Sequence, residues 1–297
     1  MKGMNTRIMT AEFEYLAPET VGEAVDMLNR QGSEAKVIAG GTDLLVQMKK
    51  EVISPRCLID IRKIPEMSLI TADRGWLRIG SATKWREVLA YCRGDERYAA
   101  LYDAVYLLGK VQVRNMGTIG GNLCTASPAA DSAPPLLVFD SRVKLLSVDG
   151  ERVVRLEEFF TGVNETVMAP NEIMMEIQIP PVEAGWGSAF TKTGRVGADI
   201  SKISCAVAVA RKEDRCVSCR IALGAVASVP ILVRKASRFL EDRVVDPPRV
   251  EKMGQRVAKE IQPITDIRST DGYRRALGVV LSQDVFWRAW QRAGDRR

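Results

Sequence analysis

The chain has 297 residues, 46% hydrophobic and 27% charged, with 43 Lys and Arg against 37 Asp and Glu, a net charge of +6 and no histidine. This length favours two domains over one large one, and neither a low-complexity tract nor a repeat interrupts it. The missing imidazole excludes Ser-His and Cys-His nucleophile pairs, His-ligated zinc and histidyl attachment of a flavin, so demanding chemistry must come from a cofactor.

The N-terminal stretch MKGMNTRIMTAEFEY lacks the apolar core of a signal peptide, and the chain holds no apolar run of about 18 residues, which predicts a cytoplasmic protein. A helix is expected from Thr20, with Glu23 returning to the cap, Val21, Ala24, Val25 and Leu28 forming one apolar stripe, and Gly32 ending it. A strand over Lys36 to Ala39 runs into Gly40 and Gly41, and a short helix follows with Thr42 or Asp43 as its cap. CLIDI at 57–61 reads as a further strand, so the first 65 residues form a small α+β unit.

WLRIGS at 76–81 alternates as a strand does, Thr83 is placed to cap KWREVLAYC, and YAALYDAVYLLGK is helical up to Gly109. VQVRNMGTIGGNLCTASPAADSAPPLLVFD, rich in Gly, Ser, Thr and Pro, reads as a long functional loop. RVKLLSVDGERVVRL is a hairpin turning at Asp149-Gly150, and EIMMEIQIPP is a strand stopped by two prolines. A boundary is expected at 180–187, dividing residues 1–183, with subdomains of about 1–65 and 66–183, from residues 184–297.

Beyond that boundary, SAFTKTG, SKISCAVAVA and CVSCRIALGAVA read as three strands, followed by helices at ILVRKASRFLE, PRVEKMGQRVAKEI and TDGYRRALGVVLSQDVFWRAWQRA. This order predicts an α+β domain with helices on one face of an antiparallel sheet. The six cysteines are scattered, as expected of reduced thiols, and Cys216 and Cys219 should point to opposite faces of their strand and bind no metal. The aromatic residues of VFWRAWQRA serve helix packing or a subunit contact. Basic residues are spread along the chain and the tail RAGDRR is short, which describes either a solvated basic surface or a docking face for acidic partners or anionic cofactors.

A strand, two glycines and a helix start gather free N–H groups and a positive helix end at one point, which suits a phosphate, although a plain tight turn reads the same way. GTIGGN at 117–122 offers a second close-approach backbone, and two such turns can clasp a diphosphate. Neither turn matches the dinucleotide fingerprint or the P-loop.

AGGTDLLVQMK with QVRNMGTIGGNLCTASPAAD resembles the FAD-binding medium subunit, or flavin domain, of the molybdenum hydroxylases, the family of xanthine dehydrogenase and carbon monoxide dehydrogenase. The likeness extends through FDSRVKLLS, LEEFFTGV, PNEIMMEIQIP and FTKTGRVGADISKIS and covers nearly all of the chain. It implies an α+β fold: a two-subdomain FAD-binding domain followed by a smaller domain of a three-stranded antiparallel sheet and helices.

By the same resemblance, Lys36, Val37, Ile38, Ala39, Gly40, Gly41, Thr42, Asp43 and Leu44 wrap a non-covalent FAD diphosphate. Gly117, Thr118, Gly121, Asn122 and Thr125 form the opposing loop, and Asp131 accepts from a ribose or adenine group. Ile173 and Met174 supply backbone and apolar contacts, and Lys192 reaches the flavin ring. On residue type alone, Asp131 could instead cap the next helix, Ile173 and Met174 could be core, and Lys192 could be a solvated charge.

The resemblance also implies a small partner subunit with 2Fe-2S clusters and a large partner carrying the molybdenum cofactor. Electrons would reach the FAD of this chain and leave to NAD+ or another acceptor, so this chain needs no acid, base or nucleophile of its own. GGTDL leans toward the xanthine- or aldehyde-oxidising members. The extra cysteines of the hydroxybenzoyl-CoA reductase branch are missing. The alternatives are a self-sufficient FAD-dependent reductase or oxidase, like the enolpyruvyl reductases, and a non-catalytic basic binding module.

Overall fold

The computed structural model describes residue 9 and residues 11–294; residues 1–8 and 10 of the N-terminal stretch and residues 295–297 of the tail lie outside the described residues. Helix Val21–Gln31 starts where expected, with the Thr20 hydroxyl accepting from the Glu23 N–H at 3.2 Å. The Glu23 carboxylate reaches one residue further back than predicted and accepts from the Glu19 N–H at 2.9 Å. The helix buries Ala24, Val25 and Leu28 against strands Glu14–Leu16, Cys57–Asp60 and Ala35–Ile38, which pair in parallel with Cys57–Asp60 in the centre. The predicted strand at Lys36 to Ala39 thus begins and ends one residue earlier, and Ala39 already belongs to the turn.

The second unit is a five-stranded antiparallel sheet in the order Ile70–Asp73, Trp76–Gly80, Ile173–Ile179, Arg142–Ser147, Gly150–Arg155. The hairpin turns as read, with Ser147 opposite Gly150. Helix Trp85–Cys92 starts at Lys84 rather than Thr83: the Lys84 N–H donates to the Glu87 carboxylate at 3.1 Å, while the Thr83 side chain is buried. The long stretch read as a loop contains three short helices, Val111–Met116, Ile119–Thr125 and Ala133–Val138. Its small residues permit close packing: a Cβ on Gly120 would lie 2.4 Å from the Ser81 Cβ.

The C-terminal sheet is built on strands Trp186–Thr193, Ile203–Lys212 and Arg215–Gly224, all antiparallel, extended by the two-residue strands Ile231–Leu232 and Arg243–Val244. The stretch ILVRKASRFLE therefore divides into the two-residue strand Ile231–Leu232 and helix Arg234–Leu240. The central strand alternates by size. Cys205, Val207 and Val209 pack with the core under helices Pro247–Glu260 and Asp271–Gly294, whereas Ala206 and Ala208 join the core of the second unit. Both faces of this sheet are covered, because alanine presents so little bulk that helices Ala99–Leu107 and Ala133–Val138 can lie against it.

Asp103 ties the two regions together, accepting from the Arg292 guanidinium at 2.7 Å, the Arg288 guanidinium at 3.1 Å and the Phe190 N–H at 3.2 Å. In the last helix Phe286 and Trp290 stack in the core, and Trp287 stays 38% exposed. All six cysteines are free thiols. Cys216 and Cys219 do not diverge as predicted. A bulge at Val217 shifts the register, so both thiols enter the same core, where the Cys216 thiol and burial push the Cys219 thiol well above its ordinary range. Among the described residues no helix is long and apolar enough to cross a membrane.

Candidate functional site

The two glycine turns meet. A Cβ on Gly40 would lie 2.3 Å from the Met116 carbonyl oxygen and 2.7 Å from the Gly117 Cα, so only glycine lets the first turn rest on the backbone of the second. The Thr125 hydroxyl contacts the Asp43 carboxylate at 3.2 Å, joining residues 82 apart in the chain, and also donates to the Gly121 carbonyl at 2.9 Å.

The turns differ in what their amides do. Gly41 has φ +69, a left-handed conformation open to glycine, and helix Leu44–Lys49 begins just beyond it at Asp43, whose side chain caps no N–H. Among the described residues the N–H groups of Gly41, Thr42 and Asp43 have no protein acceptor, while Leu45 and Gln47 already donate within the helix. A Cβ on Gly41 would point at Leu45 and Ile38, its own neighbours, at 3.1 and 3.3 Å. Its glycine is therefore required by backbone angle rather than by space for a ligand.

In the second turn all the N–H groups from Gly117 to Asn122 but that of Thr118 are spent within the protein. Ile119 donates to the Thr83 carbonyl and Gly120 to the Ser81 carbonyl, Gly121 to the Thr118 hydroxyl at 3.1 Å and Asn122 to the Thr118 carbonyl. This turn is a close-approach backbone on which the first turn rests, and it keeps fewer free N–H groups than the first. Gly117 and Thr118 are buried, and Gly121, Asn122 and Thr125 are half-buried along its edge.

A polar line leads from this turn toward the C-terminal domain. The Ser132 hydroxyl donates to the Asn122 side-chain oxygen at 2.8 Å, and the neighbouring Asp131 accepts from the Lys192 ammonium at 2.6 Å and the Ser201 hydroxyl at 2.7 Å. Lys192 also donates to the Asp199 carbonyl at 3.1 Å, and its side chain is only 7% exposed, so it is not the solvated charge that a strand lysine could be. Asp131 caps no helix; that position before Ala133–Val138 belongs to Ser132. Burial pushes the Asp131 carboxyl upward, against the pull of Lys192 and Ser201. Each of its oxygens keeps a second lone pair for a ligand donor.

Ile173 and Met174 are both 2% exposed and belong to two different cores, that of the first unit and that of the second, so their side chains are packing and their backbone is what remains for contact. Lys36 is exposed, Ile38 is buried beside Met48 and Leu58, and Val37, Ala39 and Leu44 are half-buried along the strand and helix that carry the first turn. Ser201, Asp199 and the Thr125–Asp43 tie were not singled out from sequence. Ser201 lies within the quoted FTKTGRVGADISKIS, yet nothing local marks it as a partner of a residue 70 positions away.

These residues fit a dinucleotide flavin. Unspent amides at a glycine turn suit a pyrophosphate, and a buried carboxylate, ammonium and hydroxyl offer polar partners further along. Residues 11–182 match the family described as FAD binding domain in molybdopterin dehydrogenase, and residues 188–289 match the CO dehydrogenase flavoprotein C-terminal domain. The chain belongs to this family of FAD-binding subunits of molybdenum hydroxylases, and is an oxidoreductase subunit.

It is 33% identical over 281 residues to the carbon monoxide dehydrogenase medium chain of Hydrogenophaga pseudoflava, covering 94% of this chain and 98% of that one. It is 30% identical over 285 residues to the xanthine dehydrogenase FAD-binding subunit of Escherichia coli, covering 95% and 97%. It superposes with a TM-score of 0.93 and 32% identity on a chain of the Hydrogenophaga pseudoflava carbon monoxide dehydrogenase that lacks the Mo-pyranopterin moiety of the molybdenum cofactor, covering 96% and 99%. A chain of quinoline 2-oxidoreductase from Pseudomonas putida matches with a TM-score of 0.88 and 26% identity, covering 95% and 98%.

Proposed function

We propose that this chain carries FAD between a small subunit with 2Fe-2S clusters and the acceptor NAD+, within a complex whose large subunit holds the molybdenum cofactor. The observation that carries the reading is the contact of Gly40 with Met116 and Gly117 beside three unspent amides. When bound, FAD supplies the exchange between one-electron carriers and a two-electron acceptor. The residues of the chain hold and orient it. The N–H groups of Gly41, Thr42 and Asp43 receive the pyrophosphate charge, with Lys36 to Gly40 and Leu44 fixing the turn from either side. Gly117, Thr118, Gly121, Asn122 and Thr125 close the opposite wall, and the Asp131, Lys192 and Ser201 group holds polar parts of the coenzyme further along. Residues 1–183 and 184–297 are taken as the two domains.

GGTDL supports placement among the xanthine- or aldehyde-type dehydrogenases, and the Thr125–Asp43 contact gives its aspartate a structural use. The test is to purify the chain with its partners, record the visible flavin bands, and titrate anaerobically with NADH. Bleaching by NADH, together with co-purifying iron–sulfur and molybdenum subunits, is the expected result. A chain that takes up no FAD sinks the reading. One that binds FAD and turns over without partners is instead a self-sufficient reductase or oxidase.

A further inference from the structure

Helices Arg234–Leu240 and Pro247–Glu260 enclose a groove of about 790 Å³ on the C-terminal domain, lined by Lys235, Phe239, Arg249, Lys252, Arg256 and Lys259 and bounded by Asp246 and Glu260. Four of the five cations recur at spacings of three and four along one helix, so they share a face about 15 Å long at 1.5 Å per residue. Among the described residues none of the five joins an ion pair, although arginines elsewhere, such as Arg152, Arg234, Arg274 and Arg292, are paired. Like charges at this spacing oppose helix formation, so an unrelieved stripe is a standing cost that an anion would remove.

The two bounding carboxylates offset only part of the five positive charges, and among the described residues neither forms an ion pair with them; both are anchored to backbone at the ends of the groove. Asp246 accepts from the Arg249 N–H at 2.7 Å, and Glu260 accepts from the Lys235 and Ala236 N–H groups at 3.0 and 2.6 Å. Two guanidiniums are held in place against Phe239, with Arg256 4.1 Å and Arg249 5.8 Å from its ring centroid.

We propose that this groove binds a short acidic segment of another polypeptide, about four or five residues long at roughly 3.3 Å per extended residue. Two features favour a peptide over a nucleic acid. A phosphate backbone continuing past either end would meet Asp246 or Glu260, and the single aromatic ring is covered by a guanidinium, leaving no platform for base stacking. Carboxylates match the guanidinium forks.

The test uses the full FAD-loaded chain and a fluorescein-labelled hexapeptide of alternating Glu and Asp, followed by anisotropy at low salt. Saturable binding below about 1 mM is expected, weakened at least about tenfold in K252E/R256E and further by added salt, with circular dichroism and flavin bands unchanged. Should the charge reversal disturb folding, the milder K252Q/K259Q is expected to weaken binding in the same direction. The proposal is overturned by absence of saturable binding, by equal affinity in the folded variants, by equal binding of the Gln-Asn hexapeptide, or by tighter binding of a six-nucleotide thymidylate.

Discussion

The two glycine turns look alike as letters and do different physical work. At Gly40-Gly41 the backbone bends through a left-handed residue and leaves the N–H groups of Gly41, Thr42 and Asp43 without a protein acceptor among the described residues, a geometry that suits an anion. At Gly120-Gly121 the amides are consumed by Ser81 and Thr118, and the missing Cβ of Gly120 lets its helix press on the strand end at Ser81. A glycine pair thus signals close approach, but whether the approaching group is a ligand or the protein itself is settled by where the N–H groups go.

The contrast can be broken by substitutions that separate stability from flavin occupancy. The largest effect is expected at the end of the polar line from the second turn. Lys192→Met strands the buried Asp131 and should cost about 3–5 kcal/mol in urea unfolding, while D131N/K192M should recover most of it. If the single variant is no less stable than the pair, the ion pair is not structural. Next, Gly120→Ala drives a Cβ to within 2.6 Å of the Ser81 carbonyl oxygen and should cost about 1–3 kcal/mol, with the folded fraction keeping its flavin.

Gly41→Ala should cost only about 1 kcal/mol, from the left-handed angle, yet lose most of its flavin because the free amides are re-aimed. Equal flavin content in the two glycine variants would erase the distinction drawn between the turns. Thr125→Val removes the tie to Asp43 and should lower stability by about 1 kcal/mol, with faster flavin dissociation in a stopped-flow exchange experiment.

The smallest effect concerns acid. Asp60 lies opposite Ile38 at the root of the first turn; burial would raise its carboxyl, but the Arg62 fork, the Tyr15 hydroxyl and the Arg62 N–H hold it below the usual range. A depressed carboxyl contributes stability that is present above its unfolded value of about 3.9 and is lost as pH falls through the folded value. The second turn is tied down by the Thr118 hydroxyl and the Ser81 and Thr83 carbonyls, which do not titrate there. Below about pH 4, hydrogen exchange should therefore open residues 35–38 and 57–60 before 117–125, and Asp60→Asn should flatten that dependence. Simultaneous opening in the unmodified chain would show that Asp60 does not anchor the first turn.

Much of this was legible from local pattern. The Thr20 cap with its apolar stripe, the hairpin at Asp149-Gly150 and the strand, glycine pair and helix of the first turn each declare themselves within a dozen or so residues. The helices Val111–Met116, Ile119–Thr125 and Ala133–Val138 did not, because short helices rich in small residues draw their stability from what they pack against. The orientation of Cys219 depends on a bulge set by pairing with the neighbouring strand, and the state of Lys192 on a carboxylate 61 positions earlier.

The sequence by itself determined the family, through motifs that span the chain, and the elements whose caps, turns and alternation are local. Only the tertiary structure decided which glycine turn keeps its amides, which charges are neutralised in pairs, and which cations stand unpaired in the groove. The reason is that backbone propensity and periodicity act over a few neighbouring residues, whereas the fate of a hydrogen-bond donor or a charge is set by partners that folding brings from distant parts of the chain.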